Sequence, residues 1–166
     1  MKHNLLRLIL GLFLMPGFLF QSCVKEHYTL YKAFLINNSS HNITVFFYKQ
    51  GWVHEGDTLR LNLGDSVIIA DGSMRGEINT PGFNSKHFGN PNDSIVAVFD
   101  DSFRVVHYAD PPRDSLLADK YYLFSSLRNI GNPKSYEFER IKQSKHVYNN
   151  IHRYYFTEAD YEFAKQ

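Results

Sequence analysis

Short segments in which apolar and polar residues alternate follow one another along most of this 166-residue chain. Successive residues of a β-strand point to opposite faces, so alternation places the apolar side chains on one face of an extended strand. The alternating segments are YKAFLIN (31–37), ITVFFYK (43–49), TLRLNL (58–63), SVIIA (66–70), SIVAVF (94–99), FRVVHY (103–108), YYLF (121–124), YEFERIK (136–142) and HVYNNIHRYYF (146–156). Such a series of short strands predicts a mainly β domain.

The arrangement of these strands is also constrained by what lies between them. Neither βαβ units nor an internal repeat interrupts the series, which favours an antiparallel β-sandwich, immunoglobulin-like or related, or a barrel. The segments NSSHN (38–42) and DDS (100–102) are rich in turn residues, and each predicts a hairpin between its flanking strands. A smaller sheet backed by a terminal helix is the alternative architecture.

The last segment of the chain changes from the two-residue period of a strand to the period of a helix. Thr157 precedes EADYEFAK (158–165), and Asp160 stands where a capping box usually has Glu, which predicts a short C-terminal helix. Tyr161 and Ala164 are three residues apart and therefore share the face that we expect to be buried.

The N-terminus predicts export. Lys2 and Arg7 precede an uncharged run of 13 residues, Leu8 to Phe20, which is shorter than the roughly 20 residues that a membrane-spanning helix needs. A basic start, a short apolar run and a small residue before the cleavage point are typical of a secretory signal peptide. Ser22 is that small residue, and Cys23, the sole cysteine, follows it.

The Ser22–Cys23 pair resembles the lipobox of bacterial lipoproteins, although Phe20 and Gln21 depart from its usual residues. The resemblance implies cleavage between Ser22 and Cys23, acylation of Cys23 and a membrane lipid as partner. The expected organisation is a signal peptide (1–22), a lipidated Cys and tether (23–31) and a single β-rich domain (32–166). The alternatives are an ordinary signal peptide with a chance Cys and an N-terminal anchor helix.

Longer stretches carry a second resemblance. A chain with FLINNSSHNITVFFY, DSIVAVFDD and YYFTEADYEFA is similar to small uncharacterised lipoproteins of Bacteroidota-type bacteria. These motifs are structural, so the resemblance implies a location in the bacterial cell envelope, with the outer membrane as the expected site, and an architecture, but no activity.

The net charge of the expected mature chain limits the class of partner that it can bind. Residues 23–166 hold 16 basic and 17 acidic residues, a net charge of −1. A protein that binds nucleic acid needs a basic face, so no nucleic-acid partner is predicted.

The sequence lacks the motifs that usually indicate catalysis. The His residues lack the H-E-x-x-H spacing, the Ser residues lack a G-x-S-x-G elbow, and no strand precedes a Gly-rich phosphate loop. We therefore expect a protein that is not an enzyme, has no cofactor or metal, and binds or scaffolds in the envelope. A glycan-binding accessory lipoprotein that uses exposed aromatic residues is the alternative, and a hydrolase is the weaker one.

The long segment 71–93 is a candidate ligand-binding loop, because loops of this length in compact domains are often functional. Its candidate contact residues are Arg75, Phe83, Lys86, His87 and Phe88. The alternative is that 71–93 is a long loop without a ligand that packs its Phe residues onto the sheet.

Trp52, the sole tryptophan, is a second candidate, since its ring could stack on a sugar. An envelope protein or a glycan would be the partner.

Four triplets of Asp, a hydroxyl residue and an aliphatic residue look like those at which exported proteins of Bacteroidota-type bacteria are O-glycosylated. Their hydroxyl residues are Thr58, Ser66, Ser94 and Ser115. The structural alternative is that each triplet ends a turn and starts a strand.

Overall fold

The structure is a computed structural model that describes residues 26–49, 52–77, 79–80, 93–110 and 118–166, without the side chains of residues 53–57. The predicted signal peptide with Ser22 and Cys23 lies outside the described residues. So do four of the candidate loop residues, Phe83, Lys86, His87 and Phe88, and the candidate glycosylation site Ser115.

The described residues form nine strands, a single 3₁₀ turn and one C-terminal α-helix. In chain order they are β1 (Tyr28–Asn37), β2 (Ile43–Lys49), β3 (Trp52–Leu61), β4 (Ser66–Arg75), β5 (Ser94–Phe99), β6 (Phe103–Tyr108), β7 (Tyr121–Tyr122), the 3₁₀ turn (Pro133–Ser135), β8 (Glu137–Lys142), β9 (Val147–Phe156) and α1 (Glu158–Lys165). The predicted mainly β domain with a short C-terminal helix is therefore confirmed.

The strands form two sheets. Sheet A has the order β4-β1-β9-β8, and sheet B has the order β3-β2-β5-β6-β7. Most neighbours are antiparallel, but β1 runs parallel to β9, and β6 runs parallel to β7. The prediction of purely antiparallel sheets is therefore wrong. A parallel pair needs a long connection, and the chain between β1 and β9 supplies one because it first builds sheet B.

The segment 38–42 does not close a hairpin, contrary to the prediction, because β1 and β2 belong to different sheets. The chain crosses between the sheets here and again at 62–65, and Asn37 binds both crossings. Its backbone N–H donates to Asp65 O at 2.9 Å, and its side-chain Nδ2 donates to His41 O at 2.7 Å and Leu61 O at 3.2 Å. Asn37 is fully buried, so each of these hydrogen bonds replaces a hydrogen bond with water that is lost on folding.

The predicted hairpin at 100–102 is confirmed. Phe99 pairs with Phe103 across it, in the antiparallel ladder of β5 and β6. Asp100 and Asp101 have φ values of 47° and 54°. Asp and Asn enter this left-handed region more readily than most residues, which explains why this sequence turns here.

Both sheets contribute to one hydrophobic core. Leu35, Tyr154 and Phe156 come from sheet A, and Val45 and Phe99 from sheet B, all at most 1% exposed. The rings of Phe99 and Phe156 meet edge to face with their centroids 6.1 Å apart. The alternation in the sequence thus selected the buried face of the strands that supply this core.

Several predicted boundaries shift, since β3 spans Trp52–Leu61 in place of 58–63 and β7 spans Tyr121–Tyr122 in place of 121–124. Strand β1 begins at Tyr28, so four residues assigned to the tether are strand residues, held by β4 on one side and by β9 on the other. Strand β4 continues to Arg75, so the candidate loop begins after that residue. Both extensions escape an alternation search because their polar residues do not alternate cleanly with apolar ones.

The helix α1 starts as predicted. Asp160 accepts hydrogen bonds from the backbone N–H and the hydroxyl of Thr157, at 2.8 and 3.2 Å. Ala164 is buried, and the ring of Tyr161 packs edge to face against Phe99 and Phe103, with centroid distances of 6.1 and 5.6 Å. The helix thereby covers one end of the core.

Candidate outer groove

The candidate site lies on the outer face of sheet B, opposite the core. Residues 94 and 96 of β5 and residues 104, 106 and 108 of β6 point outward, because the odd-numbered residues between them fill the core. The register places Ser94 between Tyr48 and Tyr108 in one row and Val96 beside Val106 in the next. Arg104 follows one row further along β6.

These residues line a groove of about 400 Å³, hereafter the outer groove, which falls within the range of roughly 300–1,000 Å³ of ligand pockets. The strand residues that line it are Tyr48, Ser94, Val96, Arg104, Val106 and Tyr108. A wall is added by Ala118 and Asp119, which precede β7. Two bonds hold this wall: Ala118 N–H donates to the Tyr108 hydroxyl at 3.2 Å, and Val106 N–H donates to Lys120 O at 3.0 Å.

The chemistry of the outer groove is mixed. Val106, at 7% exposure, is buried in its floor, and the rings of Tyr48 and Tyr108 are half-buried beside it. Arg104 is exposed and makes no hydrogen bond or ion pair with any residue that the structure describes. A guanidinium that lines a concave surface and has no acidic partner is available to bind an anion.

A second pocket of about 410 Å³ adjoins the outer groove and shares Arg104, Ala118 and Asp119 with it. It extends toward α1, where Ala164 and Gln166 line it, and it adds a second cation, Lys120. We call it the adjoining pocket. The two cavities form a path over sheet B with Arg104 at their junction.

The buried titratable groups of sheet B and α1 are structural. His107 accepts the Ile130 N–H through Nδ1 at 3.1 Å, and burial, aided by the nearby Arg128 charge, lowers its pKa to about 3. It is therefore neutral in the core. Burial, followed by the Asp160 charge, raises the pKa of Tyr122 to about 12. Arg128 and Asp160 form an ion pair behind it, joining the 123–132 segment to α1.

A second polar cluster comprises Ser40, His41, Asp100 and Glu158, a set of types that also occurs in hydrolases. Here His41 Nδ1 lies 2.5 Å from Asp100 Oδ2 and His41 Nε2 lies 3.3 Å from Glu158 Oε2, so both ring nitrogens face carboxylates. Ser40 donates its hydroxyl to Glu158 at 2.5 Å. A serine nucleophile needs its hydroxyl on the base, and this geometry gives it to a carboxylate instead. The cluster joins two turns to the start of α1.

The predicted ligand residues that the structure describes are not brought together. Trp52 is the first residue of β3, at the edge of sheet B, and is 76% exposed. Arg75 is the last residue of β4, in sheet A, where it pairs with Glu26. Neither residue lines the outer groove. The other predicted residues of the 71–93 loop, Phe83, Lys86, His87 and Phe88, lie outside the described residues, so the surface of this loop stays a prediction.

The candidate glycosylation sites differ in setting. Thr58 and Ser66 are exposed, Thr58 inside β3 and Ser66 at the start of β4. Ser94 is half-buried and lines the outer groove. The turn before Ser66 is held by Asp65, whose carboxylate accepts from the Asn62 N–H at 2.7 Å, so Asp supplies the turn bond.

Sequence reasoning missed the main residues of the outer groove, Tyr48, Arg104, Tyr108 and Asp119, and Lys120 of the adjoining pocket. The alternation in FRVVHY does place Arg104 and Tyr108 on one face. The neighbouring Tyr48 and the wall at Ala118 depend on strand pairing and on a parallel contact, which alternation does not encode.

Within the described ranges, no cluster of three or more His, Cys, Asp or Glu side chains is arranged to hold a metal ion. No helix among the described residues is both long enough and apolar enough to cross a membrane.

Comparison with known proteins finds no family model that matches this chain. It also finds no similar curated protein and no similar solved structure.

Proposed function

We propose that this protein is a lipid-anchored, non-catalytic binding protein of the bacterial cell envelope and that the outer groove holds its ligand. The observation that carries the proposal is Arg104, an exposed cation without an acidic partner among the described residues, at the junction of two concave cavities. Clefts of this size with a few convergent polar groups are the usual form of a binding site.

The polar groups of the groove suit recognition. Two phenol rings, one guanidinium and one carboxylate offer stacking surfaces, hydrogen-bond donors and an acceptor. The described His–carboxylate cluster, at His41, commits both ring nitrogens to carboxylates, which favours a binding role over hydrolysis. Scaffolding of an envelope protein is the other form that this function could take.

The proposed architecture is a β-sandwich of immunoglobulin-like or related type. Its support is that two sheets bury their facing side chains in one core. The outer face of one sheet is then available for a ligand, while the other side of the same strands maintains stability.

The anchor would be Cys23. Five residue steps separate Cys23 from the first strand residue, Tyr28. A fully extended chain of that length spans at most about 18 Å. A domain so tethered would lie within reach of the membrane surface and of ligands bound there.

The experiment that tests the groove compares two exposed arginines on one face. Arg60 of β3 lies in the same transverse row as Arg104, through the pairs Arg60–Thr44, Thr44–Val98 and Val98–Arg104. It is three strand spacings, about 14 Å, from Arg104 and outside the groove. The purified full chain should bind a glycan array or its native envelope partner. Arg104→Ala should abolish that binding, whereas Arg60→Ala should leave it unchanged.

Both variants should keep the melting temperature of the unchanged protein, since both side chains are exposed. Equal ligand retention by Arg104→Ala and Arg60→Ala would remove the outer groove from the function. Turnover of an ester, glycoside or peptide that a single carboxylate or His substitution abolishes would overturn the non-catalytic role.

A further inference from the structure

We infer that the ligand of the outer groove is a short oligosaccharide that carries carboxylate groups. This inference rests on the proposed function and adds the chemical class of the ligand. Two observations carry it. The unpaired Arg104 lines the same groove as two half-buried Tyr rings, two rows further along the sheet, and a second cation lines the adjoining pocket.

The charge of the path favours an anion. Among the side chains that line the path, Arg104 and Lys120 are cationic and Asp119 is acidic. The Lys120 ammonium also lies over the Phe163 ring, 5.7 Å from its centroid. No ion pair joins Asp119 to either cation among the described contacts. The planar guanidinium binds a carboxylate through two parallel hydrogen bonds, and Lys120 supplies a second point of attraction further along.

The uncharged lining favours a sugar ring. A pyranose has an apolar C–H face and hydroxyl groups around its edge. The outer groove offers the same division, since Val96 and Val106 form an apolar floor beside the rings of Tyr48 and Tyr108. Ser94 and Asp119 provide hydrogen-bonding groups at its margins.

The position of the groove disfavours a peptide. An extended peptide usually binds a β-protein by adding a strand to a sheet edge, where backbone groups are free. The outer groove lies on the face of β2, β5 and β6, whose backbone groups already pair with one another. A peptide there would leave its own backbone groups without protein partners, a cost that a sugar avoids because its hydroxyls stay at the solvent edge.

The size of the path favours more than one sugar. Each cavity holds about 400 Å³, and the two share three lining residues, so a chain bound in the outer groove can continue into the adjoining pocket. Carboxylates on successive sugars would then meet Arg104 and Lys120 in turn.

The test uses the full-length protein in detergent and two matched probes, tetragalacturonate and its carboxyl-reduced form, by isothermal titration calorimetry. Reduction converts each carboxylate to a hydroxymethyl group and leaves the rings unchanged. We expect tetragalacturonate to bind at least about 10-fold more tightly, which corresponds to about 1.4 kcal/mol. Arg104→Ala should lose that preference, Arg104→Lys should keep part of it, and Arg60→Ala should keep all of it.

The outcomes separate the two proposals. Equal binding of both probes, lost in Arg104→Ala, would leave the groove as the binding site and overturn the carboxylate requirement. Arg104-dependent binding of an acidic peptide such as tetraglutamate, without binding of either sugar, would overturn the sugar class while keeping the groove. A native partner that is retained equally by Arg104→Ala and the unchanged protein would overturn the proposed function itself.

Discussion

Tyr31 of β1 lies across Gly72 of β4, its partner in the antiparallel ladder. A methyl group at position 72 would come within 2.5 Å of the Tyr31 hydroxyl oxygen and 2.7 Å of Cζ. The ring therefore occupies the space that glycine leaves, covering a strand position that would otherwise expose its backbone.

This contact predicts that Gly72→Ala destabilises the domain, although alanine is the better strand residue, because the Tyr31 ring must move. Overpacking of a core costs about 1–3 kcal/mol, and we expect a cost near the lower end because the added methyl group meets the far end of a half-buried ring. Thermal unfolding of Gly72→Ala, Tyr31→Ala and the double variant measures the coupling, with Ser73→Ala as the exposed neighbour. If the clash is the cause, Gly72→Ala should cost little in the Tyr31→Ala background, and equal cost in both backgrounds would contradict it.

The Ser40–His41–Asp100–Glu158 cluster predicts a pH dependence of stability. The hydrogen bond with His41 lowers the pKa of Asp100 below 3.8, and the hydrogen bond from Ser40 lowers the pKa of Glu158 below 4.5. A carboxyl group whose folded pKa is depressed stabilises the native state above its unfolded pKa. That contribution disappears as the pH falls through the folded value.

The melting temperature should therefore fall as the pH is lowered from about 5 toward 3, and Asp100→Asn with Glu158→Gln should flatten that part of the profile. Asp101→Asn is the matched control, because Asp101 is adjacent and exposed but not in the cluster. Profiles of equal slope for the double variant and the control would show that these bonds add nothing to acid stability.

At the scale of elements, α1 is attached by more than its apolar face. Asp160 is 1% exposed and receives the guanidinium of Arg128, which also donates to Tyr155 O at 3.2 Å. The same carboxylate caps the helix through Thr157. One acidic side chain thus joins the helix start, the end of β9 and the 123–132 segment.

Asp160→Ala should therefore destabilise the domain by about 2–3 kcal/mol. This is less than the 3–5 kcal/mol typical of a broken buried pair, because the Arg128 side chain is 39% exposed and retains some water. Glu162→Ala, at an exposed position of the same helix, should change the unfolding free energy by less than about 0.5 kcal/mol. Urea denaturation measures both, and equal effects would mean that the helix is held by its apolar contacts alone.

At the scale of the whole molecule, the proposed anchor predicts membrane partition. In a bacterial host, Cys23→Ala should lose labelling by a clickable fatty acid, because the acylated thiol is absent. Its membrane association should also weaken, because one uncleaved apolar run replaces several acyl chains. Ser144→Ala, a substitution at an exposed turn, serves as the control. Unchanged labelling of Cys23→Ala would remove the anchor from the proposal.

O-glycosylation at Thr58, Ser66, Ser94 and Ser115 stays a prediction. The intact mass of the protein from its native host would test it.

The sequence by itself determined where most of the strands lie along the chain, which of their faces meet the core, the hairpin at Asp100 and Asp101, and the capped helix at Thr157. These features depend on residues close together in the chain, through alternation, turn conformation and capping. The groove residues Arg104 and Tyr108 were also visible as two members of one strand face.

Only the tertiary structure decided the direction and neighbours of the strands. Asn37 directs the chain between sheets through bonds to the backbone of Leu61 and Asp65, which lie far along the sequence. The parallel pairing of β1 with β9 likewise joins the two ends of the domain. Alternation is the same for parallel and antiparallel partners, so it could predict the faces of the strands but not the outer groove, which exists because β2, β5 and β6 lie side by side.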